Sequence, residues 1–70
     1  MSFTAVYKRD GEWWVGFVAE IPGANTQGAT LEEARENLKE AVRMVLEANR
    51  ELARQDLEDP SAIREEIQVA

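Results

Sequence analysis

Residues 30–54 constrain this chain more than any other stretch, because they hold one helical period without a break. Neither Gly nor Pro occurs between Gly28 and Pro60. At 100° per residue, Leu31, Ala34, Leu38, Ala41, Val42, Val45, Leu46, Leu52 and Ala53 fall on one face. Glu32, Glu36, Lys39, Glu40, Arg43, Glu47, Arg50, Glu51 and Arg54 fall on the other. Thr30 and Glu33 have the spacing of a capping box, in which hydroxyl and carboxylate each serve a free backbone N–H. The pattern predicts one amphipathic helix from Thr30 to Arg54. Such a helix draws most of its stability from packing, so its apolar stripe needs a surface to lie on.

The residues before it supply that surface. Phe3 to Lys8 alternates around Thr, Val and Tyr and reads as a strand. Asp10-Gly11 is a hairpin signal, and Trp13 to Val18 reads as the second strand. With a loop of two or four residues in the turn Arg9–Glu12, Lys8 pairs with Trp13, Val6 with Val15 and Thr4 with Phe17 on one face. The opposite face then carries Tyr7 with Trp14, Ala5 with Gly16 and Phe3 with Val18. Small residues at its centre let a helix approach closely, so the helix is expected there. Ile21-Pro22-Gly23 suits a type II turn, with Pro fixing φ and Gly admitting positive φ. Ala24 to Gly28 is a short third strand. Residues 64–69 read as a fourth, short edge strand, with one helical turn at Pro60–Glu65 as the competing reading. The expected fold is therefore α+β, one domain over residues 1–70, in the order β-β-β-α-β. It has a small, mainly antiparallel sheet and one long helix on one face.

Length sets a further expectation. A 25-residue helix is roughly 37 Å long, whereas six-residue strands cover roughly 20 Å. The helix must overhang its sheet, yet its stripe continues through Val45, Leu46, Leu52 and Ala53. Leu57 and Ile63 folding back would cover part of it. The rest, together with the apolar second sheet face, predicts a homo-oligomer, with a dimer favoured.

Composition removes several function classes. The 70 residues contain no Cys and no His. Disulfides, thiolate or imidazole metal sites, and Cys or His nucleophiles are thereby absent. This fits a cytoplasmic protein. No apolar run nears the ~20 residues that span a bilayer, and no signal peptide is visible, so no membrane association is expected. The formal net charge is −6, which disfavours direct nucleic-acid binding and suits a basic protein partner.

The run Trp14-Val15-Gly16-Phe17-Val18-Ala19-Glu20-Ile21-Pro22-Gly23-Ala24-Asn25-Thr26-Gln27-Gly28-Ala29-Thr30-Leu31-Glu32-Glu33-Ala34 resembles the HicB family of antitoxin-like proteins. The shared pattern is an aromatic-rich hairpin, a Pro-Gly turn, a Gln-Gly pair and Thr-x-Glu-Glu-Ala opening a helix. Asn37-Leu38-Lys39-Glu40-Ala41 continues it, and the likeness covers about residues 3 to 50. The resemblance implies a β-β-β-α-β domain with a partial, degenerate ribonuclease-H-like fold. It also implies pairing with a small basic HicA-like toxin that cleaves RNA, which the antitoxin neutralises by covering it. Many members add a C-terminal DNA-binding segment. This chain ends at Ala70, so a short, stand-alone member without that segment is expected.

No catalytic set assembles along the sequence, and no cofactor or metal is expected. Two-metal nuclease chemistry needs carboxylates converging on a central strand, and Phe3 to Lys8 has none. Asp56, Glu58 and Asp59 lack the ligand spacing of a calcium loop. The pairs Glu32/Arg35, Glu36/Lys39, Glu40/Arg43, Glu47/Arg50 and Glu51/Arg54 each add only ~0.2–0.5 kcal/mol to a helix and mainly keep it soluble. The candidate sites are interfaces. Trp13, Val15 and Phe17 form either an oligomer core or a toxin-docking surface. Asn49 lies near the centre of the stripe between Val45 and Leu52. It is either exposed at the helix end or paired across an oligomer interface, where it would fix register. The expected function is an antitoxin-like, non-enzymatic interaction domain that blocks an RNA-cleaving toxin. The alternative is a stand-alone oligomeric binding or structural module.

Overall fold

The computed structural model describes residues 2–69. Strands β1 (Ala5–Asp10), β2 (Trp13–Val18) and β3 (Asn25–Gly28) precede helix α1 (Leu31–Leu57). The strands form one antiparallel sheet in the order β1-β2-β3. The α+β class and the β-β-β-α order follow the sequence expectation.

The hairpin differs in register. Asp10 pairs with Trp13, Lys8 with Val15, Val6 with Phe17, Tyr7 with Gly16 and Ala5 with Val18. The loop is Gly11-Glu12, not a four-residue turn. Gly11 has φ +62°, and no non-glycine residue has positive φ among the described residues. Glycine at the first central position is the mark of a type II′ hairpin turn. Because side chains alternate with period two, a slide by two residues leaves every one on its expected face. Tyr7 therefore lies across from Gly16, and its ring fills the space that a side chain there would need. A Cβ on Gly16 would sit 2.9 Å from Tyr7 Cδ1 and 3.7 Å from Leu38 Cδ2.

The second turn forms as expected. Gly23 has φ +88°, and the Ala24 N–H donates to the Ile21 carbonyl at 3.2 Å, as a type II turn requires. This turn brings Ala24 under the helix. Val18, Ile21, Ala24 and Leu38 make the buried cluster, and Tyr7, Ala41, Val42 and Val45 pack around it. Ala34 is fully buried beside it.

Helix α1 starts where the cap predicts. The Glu33 N–H donates to Thr30 Oγ1 at 3.0 Å, and Thr30 is extended at φ −128°, ψ 162°. Close approach to β3 fixes the entry angle. A Cβ on Gly28 would lie 2.7 Å from the Ala34 nitrogen. Asn37 Nδ2 adds a tie, donating to the Gln27 carbonyl at 3.0 Å.

The helix runs to Leu57, three residues past the expected end at Arg54. Its 27 residues make it roughly 40 Å long. Every residue from Leu46 to Val69 is exposed. The radius of gyration is 16.2 Å, against about 11 Å for a compact chain of this length. The overhang is responsible. Leu57 and Ile63 do not cover it, being 53% and 87% exposed.

The fourth strand expected at 64–69 is absent from this sheet, and so is the helical turn at Pro60–Glu65. Residues 62–69 form no regular element. The chain leaves α1 at its far end, so a strand here has no neighbouring edge to pair with.

Candidate interaction surfaces

The sheet has two unlike faces. One packs under α1. The other presents the cross-strand rows Val6–Phe17–Asn25, Lys8–Val15–Gln27 and Asp10–Trp13. Alternation puts Trp13, Val15 and Phe17 together on this outer face, as the sequence indicates. Trp13 is 49% and Phe17 41% exposed, while Val15, at the centre, is half-buried between Lys8 and Gln27. No element of the described chain covers this face. Lys8 and Asp10 at one end give it a mixed-charge border.

Val45, Asn49 and Leu52 lie on the other side of the molecule. Val45 is half-buried against the Val18–Leu38 cluster and so belongs to the edge of the chain's own core. Asn49 is exposed, and Leu52 is 60% exposed on the overhang. The six residues thus occupy three places: the outer sheet face, the core edge and the projecting helix.

Two contacts were not legible in the sequence. Arg35 does not pair with Glu32. Its guanidinium lies 6.0 Å from the centre of the Tyr7 ring, a cation–π arrangement at the outer limit of the useful range. Arg9 stands 5.5 Å from the Trp14 ring. The first requires the placement of α1 over the sheet, and the second the hairpin register that pairs Arg9 with Trp14.

Several charged groups make local ion pairs or hydrogen bonds, whereas the expected pairs of Arg35 with Glu32 and of Arg50 with Glu47 do not form. Lys39 Nζ meets Glu36 at 3.2 Å and Arg43 meets Glu40 at 3.3 Å. Arg54 bridges Glu51 at 2.6 Å and Glu58 at 2.9 Å, which holds the Glu51 carboxyl below its ordinary range. Asp59 accepts from Ser61 N–H at 2.9 Å and Ser61 Oγ at 2.8 Å, and these bonds lower its pKa. Glu20 accepts from the Thr4 N–H at 2.7 Å, tying the start of β1 to the end of β2 and lowering the Glu20 pKa. Among the described residues, no three carboxylates gather into a metal-binding group. No helix among them is long and apolar enough to cross a membrane.

Fold and surfaces together define a small β-β-β-α domain with an uncovered sheet face and an overhanging helix. The chain is 49% identical over 47 residues to a UPF0150 protein of Thermotoga maritima, covering 64% of this chain and 63% of that protein. It is 43% identical over 58 residues to the UPF0150 protein ssl0738 of Synechocystis, covering 83% of this chain and 78% of that one. The chain belongs to the UPF0150 family. The match spans a little under two thirds of the Thermotoga protein. No family model matches the sequence, and no solved structure matches it.

Proposed function

We propose that this chain is a HicB-like, antitoxin-type interaction domain that binds and blocks a small basic RNA-cleaving toxin. The observation that carries the reading is the outer sheet face. Trp13 at 49% and Phe17 at 41% exposure stand beside Val6 and Val15 on a rigid, hydrogen-bonded sheet. Partly exposed aromatics on a preformed surface are the usual anchors of a protein interface. The charge of −6 complements a basic partner and would speed encounter with it. The motif resemblance over residues 3 to 50 supplies the kind of partner. The domain contributes no chemistry to the toxin's reaction. It inhibits by cover.

Co-expression with a small basic protein encoded beside it is the test. A stable complex is expected, weakened by added salt and lost in Trp13→Asp. A neighbouring product that stays unbound, or binding that Trp13→Asp leaves unchanged, overturns the proposal.

A second reading, a stand-alone oligomeric module in the cytoplasm, is favoured by the overhang. Leu46, Leu52 and Leu57 are 38%, 60% and 53% exposed along one helix. A clean monomer by light scattering at micromolar concentration removes it.

A further inference from the structure

Helix α1 lies mainly over β2 and β3, and apart from Tyr7, which packs on the core, it leaves the helix-side face of β1 open. The result is a groove of about 420 Å³ beside the sheet edge. Phe3, Ala5, Val18 and Val42 give it apolar walls, and Arg35, Lys39 and Arg43 border it from the helix. These three cations recur every fourth residue, so they stand in a row with roughly 6 Å between neighbours. Lys39 and Arg43 are held only by exposed ion pairs, which are weak and readily exchanged. Among the described residues, Arg35 has no carboxylate at salt-bridge distance. β1 is also the edge of the sheet, and an edge strand offers unpaired N–H and C=O groups to another strand.

The chain carries a segment of matching character. Ile63, Ile67 and Val69 are 87%, 78% and 85% exposed. In an extended backbone Ile63, Glu65, Ile67 and Val69 share one face. The face thus presents apolar side chains with one carboxylate among them. The groove presents apolar walls with cations along them.

We infer that residues 63–69 of a second copy of this chain add to β1 as a fourth strand. Ile63, Ile67 and Val69 enter the groove, and Glu65 meets the row Arg35, Lys39, Arg43. Two-fold symmetry makes the exchange reciprocal. Surface area favours a second copy over the chain's own tail. The chain exposes 5997 Å², against about 4,400 Å² for a folded monomer of this mass. The excess includes Leu46, Leu52 and Leu57 on the overhang, which the chain's own tail in the groove would leave bare. A second copy has surface to cover both, the excess being roughly 1,600 Å² per chain. The tail also starts from a turn fixed at the far helix end, where the Ala62 N–H donates to the Asp59 carbonyl at 3.1 Å. The inference is independent of the toxin-binding reading, which uses the opposite sheet face.

Sedimentation and cross-linking test it. The wild-type chain should sediment as a dimer. Ile67→Asp, at a residue exposed in the single chain, should weaken the dimer at least about a hundredfold with the far-UV spectrum unchanged. The protein has no cysteine, so single-cysteine variants are clean probes. Val6→Cys and Gln68→Cys chains, both on the outer face of the proposed strand pair, differently tagged and mixed, should join through a short bis-maleimide. A wild-type monomer, a dimer indifferent to Ile67→Asp, or joining only when both cysteines lie in one chain overturns the inference.

Discussion

From Leu31 to Val45 the apolar stripe of α1 has a sheet beneath it, and from Leu46 to Leu57 the same stripe meets solvent. Both halves have the amphipathic period, and both carry ion pairs on the polar face. They differ in what lies underneath. Ala34 and Leu38 are 0% and 3% exposed, whereas Leu52 is 60% exposed. The first half is fixed by tertiary contacts at its start: the Thr30 cap, the close passage of Gly28 and the Asn37 bond to β3. The second half is held by its own backbone and by Arg54 bridging Glu51 and Glu58. Equal patterning therefore does not give equal stability. Burial decides, and burial depends on where the sheet stops.

The sharpest way to break this comparison is one substitution in each half. Leu38→Ala empties the centre of the core and should cost about 2–5 kcal/mol. That is enough to unfold much of so small a domain at ambient temperature. Leu52→Ala, measured on the monomer, should stay within about 0.5 kcal/mol. Denaturant melts of both variants under dilute conditions check the contrast, and similar losses would show that the overhang is covered within the single chain.

Gly28→Ala comes next. Its Cβ would press on the Ala34 nitrogen at 2.7 Å, and backbone has little room to yield. A loss of about 1–3 kcal/mol is expected, with slower folding as a second readout if helix docking on β3 precedes the rest. Thr30→Ala removes one cap bond and should cost about 1 kcal/mol. Amide exchange should show faster opening at Glu33 and its neighbours.

The smallest effect concerns pH and the projecting half. Glu51 is held below its ordinary 4.5 by Arg54. A carboxylate whose folded pKa is depressed stabilises the structure above its unfolded pKa and loses that contribution as pH falls through the folded value. Below about pH 4.5, the protection of amides 46–57, relative to intrinsic exchange at the same pH, should fall while that of 31–45 changes little. Uniform loss of protection along the helix would erase the distinction between the halves.

Much of the fold can be read from the residues. Thr30-x-x-Glu33 marks the helix start, Pro22-Gly23 the turn, and the alternation in Trp13–Val18 the two sheet faces. The register of the hairpin cannot, because Asp10-Gly11 accommodates loops of more than one length and both keep the faces the same. The helix end is also obscure, since Gln55, Asp56 and Leu57 carry no stop signal before Pro60. The segment 64–69 has strand alternation without a strand, because alternation specifies a side-chain pattern and pairing needs an edge within reach. Among the candidate interface residues, Trp13, Val15 and Phe17 share a face by period alone. Val45 needed the position of the sheet, which claims it for the chain's own core.

Local periodicity and turn chemistry set the three strands, the start of α1, its amphipathic character and the two faces of the sheet, all of which the residues alone reveal. The crossing of α1 over β2 and β3, the open edge along β1, the cover of Gly16 by Tyr7 and the bare far half of the helix emerge only in the folded chain. The physical reason is that periodicity says which side chains seek burial, whereas burial itself requires a second surface, whose extent depends on contacts between residues far apart in the chain.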